Sequence, residues 1–412
     1  MPQKKKIIHI IQSLENGGCE NMLLRTLPLL QDFEHKIITL KTFGELTPKF
    51  VSAGITVETI HCRGFFDISG IRRLQKTVKE ENPDIIITYL FHADMLGRLF
   101  LQLPFLSLRV KRSNPAPSIP PARGEMSKGQ RGGRIPIIPF LRTTYNHPKY
   151  LTARILEWLT RPLVKQYLAN SEAVKDFYVN NIGVRPEKIT VIPNGIDIDY
   201  FDSIASDPEL KKSLGIDQND FVIICVANLH PNKGHQYLLE AFERLRTSST
   251  TCHPGPDPGS SPKQKLKLLL VGDGTEKKNL QNQITNYQSK QNILFLGKRT
   301  DVPNLLKVSN LFVLPTLFEG QSNAILEAMA TGIAVITTDI PENRTLIQSG
   351  VDGILVLQKN SSDLANNMAY LSLNIDTRRA LAEKAREKIK QYFSLAQSAK
   401  KWEDNLMQIL SL

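Results

Sequence analysis

Short apolar runs alternate with longer stretches whose apolar positions recur every three or four residues. "KIIHIIQ" (6–12), "HKIITL" (35–40), "ITVETI" (55–60) and "DIIITYL" (84–90) each read as strands. Between them, "NMLLRTLPLL" (21–30) and "ISGIRRLQKTVKEEN" (68–82) have helical spacing, and Pro83 closes the second. "HADMLGRLFLQL" (92–103) reads as a helix, and "KQYLANS" and "KITVIPNG" as further strands. Strands that are apolar on both faces belong in a parallel sheet with helices on either side.

The theme then restarts. "FVIICVANL" (221–229), "KLLLVGDG" (267–274), "NILFLG" (292–297), "NLFVLP" (310–315) and "IAVITTD" (333–339) are strands, and helical segments separate them. From about Ser361 the chain reads as all helix. The join lies near the Pro-Asn-Gly turn of "PNGIDIDYF" (193–201). Two doubly wound α/β domains follow, with expected bounds 1–195 and 196–394 and a last helix over 395–412. "SNPAPSIPPARGEMSKGQRGGRIP" (113–136) and "SSTTCHPGPDPGSSPK" (248–263) are too rich in Pro, Gly and Ser to build a core, and read as inserted loops with no part in the chemistry.

A chain of 412 residues is too long for one ordinary core, which agrees with two domains. Its four cysteines are scattered with no metal-ligand spacing, so free thiols in a reducing, cytoplasmic compartment are expected. The basic start carries too short an apolar segment for a signal peptide, and no window is long and apolar enough to span a bilayer. Net charge is +12 and is concentrated: residues 98–149 hold ten Lys and Arg, from Arg98 to Lys149, against Glu125 alone. A solvated loop and an anionic membrane surface are the readings kept. No aromatic interleaving or motif supports nucleic acid.

The chemistry concentrates in "FEGQSNAILEAMATG" (318–332). Pro315 ends a strand, Ser322 or Asn323 caps a helix, and Gly332 stops it. Glu319 lies in the loop and Glu327 just inside the helix. Ligands of such sheets bind beyond the carboxyl ends of the strands, and a helix start suits phosphate. An ionised carboxylate only accepts hydrogen bonds, which suits sugar hydroxyls. The arrangement fits a nucleotide-sugar. The alternative is a solvated loop acid and a half-exposed helix acid.

At these residues the sequence resembles the retaining glycosyltransferases of family 4, also called group 1, whose signature is Glu, seven residues, Glu; here it is "EGQSNAILE". "SLENGGCENMLL", "YLFHADMLGRL", "LANSEAV", "VIPNGID", "VANLHPNKGHQYLLEAF", "LLLVGDG" and "VDGILV" resemble family segments in the family's order. The resemblance implies a B-type glycosyltransferase fold: two Rossmann-like domains facing a cleft, nucleotide-sugar held mainly by the second, and a C-terminal helix crossing back to the first. It implies no metal and no cofactor apart from the donor substrate.

Residue by residue, the resemblance implies that Lys233 neutralises the leaving diphosphate, the chief catalytic need where no metal helps. It implies that Glu319 contacts the transferred hexose and Glu327 the ribose. The backbone N–H groups of Ser322, Asn323 and Ala324 would meet the diphosphate. Gly17 and Gly18 would lie beside the donor phosphates, and His92 near the reaction centre. Asn228 stands where the family usually has an arginine, which removes one charge from the phosphate site. Asp94 is expected to contact acceptor or cap a helix. Arg142 and His147 lie where an acceptor enters. The function so implied is transfer of a hexose from a UDP- or GDP-sugar to a hydroxyl, with a lipid-linked or cell-envelope glycan as acceptor. Peripheral contact with the inner face of the membrane goes with it. The rivals are a nucleotide-sugar epimerase of the same fold and a family member that binds nucleotide without turnover.

Overall fold

Thirteen strands among the described residues form two sheets, and every pairing within them is parallel. The computed structural model describes residues 4–101, 135–144, 150–248 and 265–411. Both expected low-complexity loops lie outside these, apart from Ile135 and Pro136 of the first and Ser248 of the second.

The first sheet contains β1 (Lys5–Ile11), β2 (Phe33–Thr39), β3 (Thr56–Thr59), β4 (Ile85–Tyr89), β5 (Ile137–Leu141), β6 (Tyr167–Ala169) and β7 (Ile189–Val191), in the order β3-β2-β1-β4-β5-β6-β7. Alternate residues of one strand feed opposite faces. Ile7 and Ile11 join one core with Ile37, Ile85 and Ile87, while Ile8 and Ile10 join another with Ile38 and Ile86. That two-sided burial is why these runs read as continuously apolar.

β5 did not stand out in the sequence, because Pro136 and Pro139 make it look like a loop. Leu141 accepts from Asn170 on the β6 side, so by alternation the missing N–H of Pro139 faces that side too. Pairing with β6 starts only at Phe140, so no bond is lost there.

The second sheet contains β8 (Phe221–Val226), β9 (Leu266–Val271), β10 (Ile293–Gly297), β11 (Leu311–Leu314), β12 (Ala334–Thr338) and β13 (Ile354–Val356), ordered β10-β9-β8-β11-β12-β13. In both sheets the order reverses beside the first strand: between β1 and β4, and between β8 and β11. Such a switch point opens a crevice at the carboxyl ends of those strands. Glu319 and Lys233 lie in the loops after β11 and β8; Gly17 and His92 follow β1 and β4.

The chain falls into two compact units. One comprises residues 1–170, 175–192 and 399–412, and the other 171–174 and 193–398. The final helix, Leu395–Ser411, thus ends within the first unit, as the fold class required. There Trp402 meets the Phe140 ring edge-on at 5.1 Å, and Asn405 donates to the Thr190 hydroxyl at 3.3 Å.

Candidate functional site

In the second unit, two loops are tied into one platform. After β8 the chain makes a tight turn at Pro231–Lys233 and enters the helix His235–Ser248. After β11 it runs through 315–322 into the helix Asn323–Thr331. The Thr316 hydroxyl and the Leu317 N–H both donate to the Asn232 carbonyl, at 3.0 and 2.7 Å. Gly234 has φ +68°, and a Cβ there would lie 2.0 Å from the Pro315 carbonyl oxygen, so only glycine lets the loops close to this distance. Similarly, a Cβ on Gly272, after β9, would lie 2.0 Å from the Ala227 carbonyl oxygen, next to Asn228.

This platform brings Lys233 and Glu319 together. Their side chains form an ion pair, with 19% and 11% of their surfaces exposed. At contact distance such a pair is worth about 1–4 kcal/mol in a partly solvated setting.

The 315–322 loop is held from several directions. The Ser171 hydroxyl donates to the Gly320 carbonyl at 3.0 Å, the Asn194 N–H to Gln321 Oε1 at 2.6 Å, and the Asn194 side-chain amide to Asn323 Oδ1 at 2.6 Å. Ser322 is the N-cap: its hydroxyl accepts from the Ile325 N–H, and Gly332 ends the helix at φ +78°. Asn323 and Ala324 occupy the first turn of this helix. Glu327 is half-buried one turn further on, and Asn228 is exposed on the loop after β8. The positioning residues Ser171, Asn194, Thr316 and Gln321 carried no separate signal in the sequence, although Ser171 and Asn194 lie within "LANSEAV" and "VIPNGID".

His235 is buried beside this platform, and neither of its ring nitrogens has a hydrogen-bond partner. Burial, with Lys233 and then His230 adding to it, pushes the imidazole down to about 4, so it is neutral.

In the first unit, Gly17 and Gly18 sit where the β1 loop enters the helix Gly18–Thr26. A Cβ on Gly17 would lie 2.4 Å from Glu20 Oε2. Arg142 comes to this loop: its guanidinium donates to the Gly18 carbonyl at 3.4 Å and lies over the Phe140 ring. Burial raises the Glu20 carboxyl and Arg142 pulls it back. His92, after β4, is exposed and stacks on Phe65 with centroids 5.0 Å apart. Burial and then Lys41 lower its pKa. Leu90 takes φ +67°, which turns the chain abruptly from strand to helix just before His92. Such backbone strain in a non-glycine residue clusters at functional sites. His147 lies outside the described residues.

Two expectations are corrected. Asp94 is neither a cap nor open to an acceptor. It is 4% exposed, both carboxylate oxygens accept from Arg98, and the Thr88 hydroxyl donates to Oδ1 at 3.2 Å. Arg98, counted with the basic segment, is fully buried between Asp94 and Glu157, the latter at 2.7 Å. The i,i+4 spacing of Asp94 and Arg98 was a signal available in the sequence.

Among the described residues no group of three His, Cys, Asp or Glu is placed to hold a metal ion.

Residues 206–388 match the family model described as glycosyl transferases group 1, and residues 119–200 the one described as glycosyltransferase family 4. The chain is 28% identical, over 97% of its length and 96% of the relative's, to the UDP-Gal:alpha-D-GlcNAc-diphosphoundecaprenol alpha-1,3-galactosyltransferase of Escherichia coli. It is 24% identical, over 94% of its length and 96% of the relative's, to a Campylobacter jejuni 4-alpha-N-acetylgalactosaminyltransferase. That protein is named for an N-acetylgalactosamine-N,N'-diacetylbacillosaminyl-diphospho-undecaprenol acceptor. Among solved structures, the Anabaena protein Alr3699/HepE in complex with UDP-glucose superimposes with a TM-score of 0.77 at 22% identity, covering 98% of this chain and 99% of that one.

Proposed function

This chain is a glycosyltransferase of group 1, family 4, and we propose that it moves a hexose from a UDP-sugar to a hydroxyl of a diphospho-linked lipid glycan, with retention at the anomeric carbon. The observation that carries the proposal is the Lys233–Glu319 pair, set at the switch point beside the start of the helix Asn323–Thr331. The relatives' names support the UDP donor and the lipid-linked acceptor.

In this reading the donor diphosphate takes the Lys233 ammonium and the first-turn N–H groups of that helix. Glu319 accepts from hexose hydroxyls and Glu327 from the ribose. The bond from the anomeric carbon to the β-phosphate oxygen breaks, and its electron pair stays with the phosphate. The acceptor hydroxyl attacks from the same face, its oxygen bonds to the anomeric carbon, and its proton passes to the departing phosphate oxygen. Preorganised positive charge acts where negative charge develops, so no metal is needed in this scheme. In the first unit Gly17 and Gly18 follow β1 and His92 follows β4, and in this reading they keep the donor-phosphate and reaction-centre roles that the resemblance implies. The enzyme works at the cytoplasmic surface of an anionic membrane, where a lipid-linked acceptor resides.

The test is a thermal-shift panel with UDP, GDP, ADP and CMP on wild type and Glu327→Ala, followed by transfer from the matching nucleotide-sugars. UDP is expected to stabilise the wild type and not the variant, and the product's anomeric coupling to match the donor's. No stabilisation by any nucleotide, in protein that melts cooperatively, sinks the proposal, and stabilisation without transfer favours a family member that binds nucleotide without turnover.

A further inference from the structure

The helix Leu151–Thr160 is built inside out. Its one acid, Glu157, is 1% exposed and faces inward, where it pairs with the buried Arg98 at 2.7 Å and accepts from the Tyr178 hydroxyl at 3.2 Å. Thr160 and Ala153 are buried on that same side. The large apolar side chains point the other way. Leu151 is 58% exposed, Ile155 48%, Trp158 51% and Leu159 57%, with Leu156 beside them. Positions 151, 155, 158 and 159 fall on one stripe of a helix, so these side chains make a continuous apolar face. A solvent-facing helix ordinarily shows the reverse pattern. A single exposed leucine is unremarkable, but a clustered face of this kind marks an interaction site.

Cations frame that face, and the one acid of the helix is turned away from it. Arg154 lies on the helix itself, its guanidinium 5.9 Å from the Phe177 ring centre. Arg161 follows immediately, over the Trp158 ring at 5.3 Å and donating to the Ile182 and Gly183 carbonyls. Lys165 is exposed just beyond. Leucine and isoleucine projecting outward, a tryptophan at the border and a rim of fixed positive charge suit a bilayer with anionic headgroups: acyl chains take the apolar side chains, and phosphates take the cations.

We infer that the Leu151–Thr160 face is the surface by which this chain docks on an anionic membrane. The Arg98–Glu157 pair acts as the inner anchor that holds the apolar face outward. The choice of a lipid partner leans on the lipid-linked acceptor proposed above, whereas the face itself does not.

The test needs neither donor nor acceptor, so its outcome is separate from that of the transferase proposal. The chain has two tryptophans, and Trp402 is 1% exposed, so a change of intrinsic fluorescence on adding lipid reads Trp158. Vesicles of phosphatidylcholine and phosphatidylglycerol in equal parts are expected to blue-shift that emission and to carry the full chain in flotation. Vesicles of phosphatidylcholine alone are expected to do so far more weakly. The variant Leu151→Ser/Ile155→Ser/Leu159→Ser is expected to melt as the wild type does, because these side chains are exposed, and to bind anionic vesicles at least about tenfold more weakly. Trp158→Phe should abolish the blue shift while flotation persists. Wild-type flotation by the triple variant would overturn the inference and place docking elsewhere. A dimer in solution that the triple variant dissolves, without lipid binding by either form, would assign the face to a second copy of the chain.

Discussion

At the scale of single residues, the site is a contest between charges. Lys233 and Glu319 form an ion pair, and in the proposed reading the donor phosphate takes the ammonium in place of the carboxylate. Lys233→Ala should lower kcat/KM about 10²–10³-fold, the usual cost of one preorganised group at a developing charge, with melting little changed. In a double-mutant cycle with Glu319→Gln the two effects should be strongly non-additive, because each side chain sets the other's position. Steady-state transfer kinetics on the four proteins check both statements. Asn228 is exposed on the same loop as Lys233, and in the proposed reading it brings an amide where a guanidinium would bring charge. Asn228→Arg should tighten UDP binding by about tenfold at low salt, with the gain shrinking as salt rises; titration calorimetry at two ionic strengths checks this. The spacing of Glu319 and Glu327 was visible in the sequence because one loop and one helix turn fix it. The Lys233–Glu319 contact was not, since it joins side chains 86 positions apart through the closeness of two loops.

At the scale of elements, the buried cluster under the helix Leu151–Thr160 holds one cation and two carboxylates. Burial raises the Asp94 carboxyl, the Arg98 charge opposes it, and Glu157 adds to the rise. One guanidinium balances only one carboxylate, so the cluster carries one surplus negative charge. Arg98→Met should therefore cost about 3–5 kcal/mol, since it leaves both acids unbalanced, whereas Glu157→Gln should cost clearly less because it removes the surplus. Denaturant unfolding of the two variants, compared by midpoint at equal slope, checks the order. The run "LTARILEWLT" has helical spacing, but periodicity cannot tell which face is inward. The partner of Glu157 decides that, and it comes from a different helical segment, Gly97–Leu101.

At the scale of the whole molecule, both units carry histidines that folding keeps neutral. In the first unit, His9 lies fully buried between Tyr89, at 2.8 Å, and His35, at 3.0 Å. Burial, then His35, pushes His9 well down, and burial lowers His35 to about 4. In the second, His235 is held near 4. A base with a depressed folded pKa contributes stability that is complete above its unfolded value, near 6.5, and is lost as pH falls through the folded value. Stability should thus fall between pH 6.5 and 4, by up to about 1.4 kcal/mol per pH unit for each histidine that charges. Melting followed across that range checks this, and His35→Gln should flatten the first unit's share. Periodicity marked the strands of the two parallel α/β sheets apart from β5 and β13, because strands buried on both faces and amphipathic helices are local patterns. The motif residues Lys233 and Glu319 follow the carboxyl ends of β8 and β11. Only the tertiary structure decided which charges meet, that Asp94 and Arg98 are buried against each other, and which side of the helix Leu151–Thr160 faces out. Each of these depends on contacts between segments far apart in the chain, where spacing along the sequence carries no distance information.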